Sequence, residues 1–304
     1  MSEDLQGASP IGEVGDGSVA ERLSSGKAFA DLSSWRKIGV SGSDALGWLN
    51  DLVSADISRV APNRAAPTLL LSPTGHVRAT FTVAVPGGTM MLLQDPGEPN
   101  PIDRLLAPYV LSSDVDMDDR TGDLALFAIP NRPAPPNAPG SAFSAPSVLG
   151  TGVDLISLRQ DHDRLWTSLT KAFAPASPED VEAWRVMAGI PRFGVDGDVN
   201  DLPQEAGLAD LVSFGKGCYL GQEAMAKVRN LGHPRRVLLA LEASRADVSA
   251  GEAVLVDGAE AGRVTSAAQL GGRTVVMAKV RWDRRDGPFL AASGTEMVPR
   301  PDGS

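Results

Sequence analysis

The chain has 304 residues, 42% of them hydrophobic, enough for two domains or one large one around a sizeable core. A formal net charge of −10 excludes a generally basic face for nucleic acid or a membrane surface. One cysteine excludes a disulfide scaffold, a four-cysteine zinc site and a self-sufficient iron–sulfur site, and fits a reducing cytoplasm.

The chain starts acidic and glycine-rich to about Gly17, with neither the basic start nor the apolar run of a secretory signal. Residues 1–23 are therefore expected to form a disordered leader. No apolar run approaches the ~20 residues that span a bilayer. A helix should follow Ser43-Asp44, with Leu46, Leu49 and Val53 on its buried face. Strand-like runs follow at Thr68–Leu71, Arg78–Val85 and Thr89–Leu93, and Pro86-Gly87-Gly88 between the last two reads as a hairpin turn. A helical stripe of Ile102, Leu105, Leu106 and Tyr109 covers Pro101–Leu111, and a strand is expected at Leu124–Ile129. Pro130–Pro146 is rich in proline, alanine and serine and reads as a surface loop.

A helix over Asp163–Phe173 precedes a stronger one. Ser177 can cap that second helix, Pro178 suits its first turn, and Glu179 and Asp180 favour the positive end of the dipole. Val181, Trp184 and Ala188 are placed on one face, and Gly189 ends the helix. Beyond Arg235 only short strands follow: Val237–Leu241, Ala253–Val256, Gly262–Ala267 and Thr274–Trp282, with turns at Val256-Asp257-Gly258 and Leu270-Gly271-Gly272. That pattern is a small β-barrel, with Pro299–Ser304 as a frayed end. The expected organisation is a leader at 1–23, an α+β region at 24–234 and a barrel at 235–304.

Few motifs carry chemistry. Gly150-Thr151-Gly152 lacks a third glycine and a preceding strand, so it is no dinucleotide fingerprint. Gly215-Lys216-Gly217 lacks the rest of a phosphate loop. His76, His162 and His233 show no zinc spacing, and a Cys218–His233 nucleophile–base pair rests on geometry that the sequence does not give. The sole cysteine sits in Lys216-Gly217-Cys218-Tyr219-Leu220-Gly221-Gln222-Glu223. Free cysteines are mostly small buried hydrophobes. The neighbouring lysine and glycines instead describe a polar loop, where a cation raises a thiol's reactivity. Lys227, Arg229, Arg235 and Arg236 form either a solvated face or a site for a carboxylate- or phosphate-bearing ligand. Glu205, in a proline- and glycine-framed loop, is either an exposed acid or an acceptor for the paired N–H donors of a heterocycle such as a pterin.

The octapeptide at 216–223 resembles the K-G-C-[FY]-x-G-Q-E signature of the folate-binding YgfZ family, which is related to the aminomethyltransferase (T protein) of the glycine cleavage system. Four further stretches resemble that family in order and spacing: Trp35–Leu52, Leu71-Ser72-Pro73-Thr74-Gly75-His76-Val77, Arg185–Pro191 and Gly262-Arg263-Val264-Thr265-Ser266. Together they cover roughly residues 24–295.

The resemblance implies a three-lobed α+β, aminomethyltransferase-like fold around a central folate cavity, with a C-terminal barrel. It implies tetrahydrofolate or a derivative as cofactor, and iron–sulfur client enzymes or assembly factors as partners. The implied role is support of iron–sulfur enzymes and the tRNA modification that depends on them. No direct nucleic-acid or membrane contact is implied, and a cytoplasmic monomer is expected. Cys218 is implied as the functional thiol, and Lys216, Tyr219, Gln222, Glu223, Glu205, Arg185, Lys227 and Arg229 as cofactor-binding residues; no metal ligand is implied. Two departures from the pattern matter, the first against an ordinary aminomethyltransferase and the second against bidentate pairing of an anion. Ala79-Thr80 stand where that enzyme has an acid after the hairpin glycine, and neither serves as a general acid or base. Lys227 stands where many relatives have arginine.

Overall fold

A computed structural model describes residues 18–133, 143–245, 247–270 and 272–300. Two five-stranded sheets and a closed six-stranded barrel organise them. One sheet runs Ala65–Leu71, Val77–Ala84, Met90–Gln94, Arg36–Ser41, Asp116–Asp119, all antiparallel. The other runs Ala174–Ala176, Ala28–Asp31, Leu124–Pro130, Gly152–Leu158, Phe143–Pro146, with one parallel pair at Ala28–Ala30 against Ala174–Ala176. The barrel spans Arg236–Ala243, Ala253–Val256, Ala259–Leu270, Arg273–Arg281, Phe289–Ala291 and Glu296–Pro299, and its last strand pairs with its first. Among the described residues no helix is long and apolar enough to cross a membrane.

Burial explains why these runs are strands. Leu69, Leu71, Val83, Leu92 and Leu93 are at most 1% exposed, because both faces of their sheet are covered. In the barrel the inward side chains of Arg273–Arg281 are branched or small, as its closed interior requires. The turn at Asp257-Gly258 has positive φ at both residues (52° and 76°), the backbone that a two-residue hairpin demands.

The helices follow their local signals. Pro178–Met187 opens on Ser177 with a reciprocal capping box through Asp180, and Gly189 at φ 67° takes the chain out of it. Val181 and Trp184 pack inward, but Ala188 is exposed, since it is the C-cap rather than part of the helical face. Ala45–Leu52 buries Ala45 and Leu49, while Leu46 turns to solvent at 47% exposure. The expected Pro101–Leu111 helix is Ile102–Leu106 followed by a tight turn at Ala107–Tyr109. The expected Asp163–Phe173 helix is His162–Leu169.

Other expectations need correction. The leader is described only from Ser18, where a capping box with Glu21 starts a helix at Val19–Ser24 that buries Ala20 and Leu23; residues 1–17 lie outside the described residues. Within Pro130–Pro146, residues 134–142 lie outside the description, but Phe143–Pro146 is an edge strand, a place where proline removes no needed donor. Pro299 belongs to the strand that closes the barrel, and 301–304 lie outside the description.

Candidate functional site

The two sheets and the helix Pro178–Met187 line a half-open cavity of about 840 Å³ with a mainly apolar wall. That volume falls in the range of small-molecule sites. Leu32, Trp35, Phe81, Leu93, Trp166 and Trp184 supply large apolar surfaces. Trp184 is 2% exposed, and its indole N–H has no acceptor among the protein's own atoms. A buried donor left unmatched is costly unless something else satisfies it.

Two carboxyls on this wall have opposite surroundings. Glu98, from the loop after Met90–Gln94, accepts the Thr80 backbone N–H (2.9 Å), the Thr80 hydroxyl and the Gln94 amide at 3.1 Å. No cation lies within ion-pair distance of it among the described residues. Burial outweighs those hydrogen bonds and pushes its carboxyl up to about 7. Asp31 ends its strand on the wall of the other sheet. Burial works against its charge, but the Ser33 N–H (2.9 Å) and His162 Nε2 (2.9 Å) win and hold it below the usual carboxylate range. His162 is raised in turn: burial opposes its charge, while Asp163 and Asp31 each take one ring nitrogen. Neither carboxyl stood out in the sequence. Glu98 lies in Asp95-Pro96-Gly97-Glu98-Pro99, framed as Glu205 is, and that framing was its one available signal.

Of Cys218 and the residues implied as cofactor-binding, Arg185 alone lines this cavity. Its guanidinium is committed to structure. It donates to Asp196 (2.5 Å), Glu182 and the Ser266 hydroxyl (2.6 Å), and Thr265 and Ser266 donate to the same Asp196. Helix and barrel are thereby joined across a buried ion pair. Glu205 is 8% exposed, and its two oxygens accept the backbone N–H groups of Leu202 and Arg235 at 3.1 and 3.0 Å. It fastens a loop to the start of the barrel.

The octapeptide at 216–223 lies apart from the cavity wall. Lys216 donates to the carbonyls of Asn50, Val53 and Ala55 at 2.5–2.8 Å, completing the end of the helix Ala45–Leu52. Its ammonium is lowered by burial. Tyr219 is 6% exposed beneath it, with its phenol raised by burial and its hydroxyl unmatched. Between these two anchors Gly217 and Cys218 face solvent, so the thiol is presented outward rather than packed as a hydrophobe. Gln222 opens the helix Gln222–Leu231, where Glu223 pairs with Lys227 at 2.8 Å on the surface. Arg229 stacks on Phe214 at 4.5 Å. His233 stacks on Trp282 and turns Nδ1 to the Pro234 carbonyl.

No family model matches the chain. It is 28% identical over 286 residues to an aminomethyltransferase of Streptomyces avermitilis, covering 82% of this chain and 77% of that one. It is 27% identical over 316 residues to an aminomethyltransferase of Streptomyces coelicolor, covering 92% and 83%. The crystal structure of the glycine cleavage system aminomethyltransferase T from Bartonella henselae superposes with a TM-score of 0.78 at 18% identity, covering 92% of this chain and 87% of that one. The fold is that of the glycine cleavage T proteins. The α+β architecture with its closed terminal barrel, expected from the sequence, is thereby shown.

Proposed function

We propose that this protein binds a reduced folate in the cavity between its two sheets and serves as an accessory to iron–sulfur enzymes, and so to dependent tRNA modification, through Cys218. The cavity is the observation that carries the first part. Its volume and apolar wall suit a flat heterocycle with an aryl extension. Arg192, 38% exposed and shared between Asp95 and Glu182, is the lining cation with surface left for an anionic tail. A folate bound there would supply the capacity to carry a one-carbon unit. The chain's own residues would orient it and keep water from it.

The second part rests on the anchored, outward-facing turn. An exposed thiol held by Lys216 and Tyr219 is accessible to another protein, such as an iron–sulfur client or assembly factor. The test is a deletion strain assayed for iron–sulfur enzyme activities and complemented with wild type or Cys218→Ser. Loss of complementation by a folded, folate-binding Cys218→Ser supports the thiol's role, and full complementation removes it.

A second reading, a folate-dependent aminomethyltransferase, has two observations behind it. The relatives above bear that name, and Thr80, at the non-acidic hairpin position, holds the Glu98 carboxyl against the cavity. Glycine-cleavage turnover with lipoylated carrier protein would favour it.

A further inference from the structure

We propose that Glu98 is the proton-exchanging anchor of the cavity: it binds the N–H face of a bound heterocycle as a carboxylate and gives up its proton to solvent when that ligand arrives. The inference deepens the folate reading and rests on it.

The geometry carries it. Glu98 lines the cavity, while three donors from Thr80 and Gln94 fix both of its oxygens in place. Gln94 is itself held, donating to the Asn100 carbonyl at 3.0 Å and accepting the Ile102 N–H at 2.9 Å. The carboxyl therefore cannot swing away to find a counter-ion. Each carboxylate oxygen can accept more than one hydrogen bond, so capacity remains toward the cavity. The charged groups around it do not neutralise it. Asp95 on its own loop adds negative charge, although Arg192 pairs with that residue. The helix Pro178–Met187 offers Glu182 and an Arg185 already committed to Asp196; the turn Ala209–Leu211 offers Asp210; Asp31 faces from the other sheet. A cavity with this balance gives Glu98 no counter-ion, so burial keeps much of it protonated near neutral pH until a ligand's donors join those of Thr80 and Gln94.

A ring N–H beside an exocyclic amine brings two donors to one carboxyl, a favourable match only for the ionised form. The proton balance is simple. Before binding, the proton sits on Glu98; on binding, the ligand's N–H groups take over as donors and that proton leaves to buffer. Glu205 meets the same chemical requirement in sequence terms, but it does not line the cavity and its oxygens tie down the backbone at Leu202 and Arg235. The role passes to Glu98.

Calorimetric titration of tetrahydrofolate in two buffers of different ionisation enthalpy measures the proton count. Wild type should release between about half and one proton per ligand at pH 6.5. Glu98→Gln keeps an acceptor for Thr80, and it should bind more weakly with no proton exchange. Thr80→Val removes one donor and should shift the release to higher pH. The fragment p-aminobenzoylglutamate, which lacks the heterocycle, should bind without release. Equal release from wild type and Glu98→Gln, or binding by wild type with no release, overturns the assignment. Failure of wild type to bind at all overturns the folate reading itself, a different result in the same experiment.

Discussion

Gly75 and Gly221 meet where two distant stretches of chain come together. A β-carbon on Gly221 would lie 2.6 Å from the Ser72 carbonyl oxygen and 3.5 Å from the Gly75 α-carbon. One on Gly75 would lie 2.6 Å from Met225. Both residues have positive φ, 84° and 85°. The hairpin Leu71–Val77 thus seats directly on the start of the helix Gln222–Leu231, and it does so because neither glycine has a side chain.

Gly221→Ala should therefore destabilise the fold by at least ~2 kcal/mol, from left-handed strain plus a backbone clash. Gly217→Ala, four residues earlier, meets open space and should be close to neutral. Thermal unfolding of the two variants side by side checks this; equal melting temperatures would contradict it.

Lys216 should act on stability rather than on ligand affinity. Lys216→Met strands three carbonyls at 50, 53 and 55, at a cost of about 1–3 kcal/mol. Its affinity for tetrahydrofolate should stay within about twofold of wild type once unfolding is taken into account. Denaturant titration and calorimetry separate the two effects.

Arg185 joins helix to barrel. Arg185→Met should cost about 3–5 kcal/mol, since it leaves Asp196 buried without its cation. Adding Asp196→Asn should restore part of the loss, giving a non-additive double-mutant cycle. Additive losses would mean that the pair does not act as a unit.

Glu98 makes stability depend on pH. Its folded-state carboxyl at about 7 stands above the ordinary 4.5, so the native state holds this proton more tightly than the unfolded chain does. The resulting stabilisation is complete below about pH 4.5 and is lost as pH rises through 7. Relative to wild type, Glu98→Gln should gain stability between pH 5 and pH 8 by up to about 3 kcal/mol, at roughly 1.4 kcal/mol per pKa unit. Urea unfolding of both proteins across that range reads the difference directly.

The stretches legible in the sequence are the ones that join elements. Asn50 accepts Lys216, Gly75 packs on Gly221, and Arg185 reaches Ser266. Such joints need fixed residue types at fixed spacing, so they read as motifs. The barrel's hairpins and the Ser177-capped helix were legible for similar local reasons. The strands Ala28–Asp31 and Asp116–Asp119 were not: one is a short run with three buried residues and an exposed Asp31, the other an acidic edge strand whose hydrogen bonds, not its side chains, make it a strand. The cavity was illegible because its wall is gathered from segments between residues 30 and 211 with no common period. Long-range contacts decide that Glu98 faces the hollow while Glu205 ties down a backbone.

Whether the cavity takes a reduced folate is decided by titrating the purified protein with tetrahydrofolate. Saturable one-to-one binding with quenching of tryptophan fluorescence is expected, since Trp35, Trp166 and Trp184 all line the cavity. A flat titration with unchanged fluorescence would contradict it.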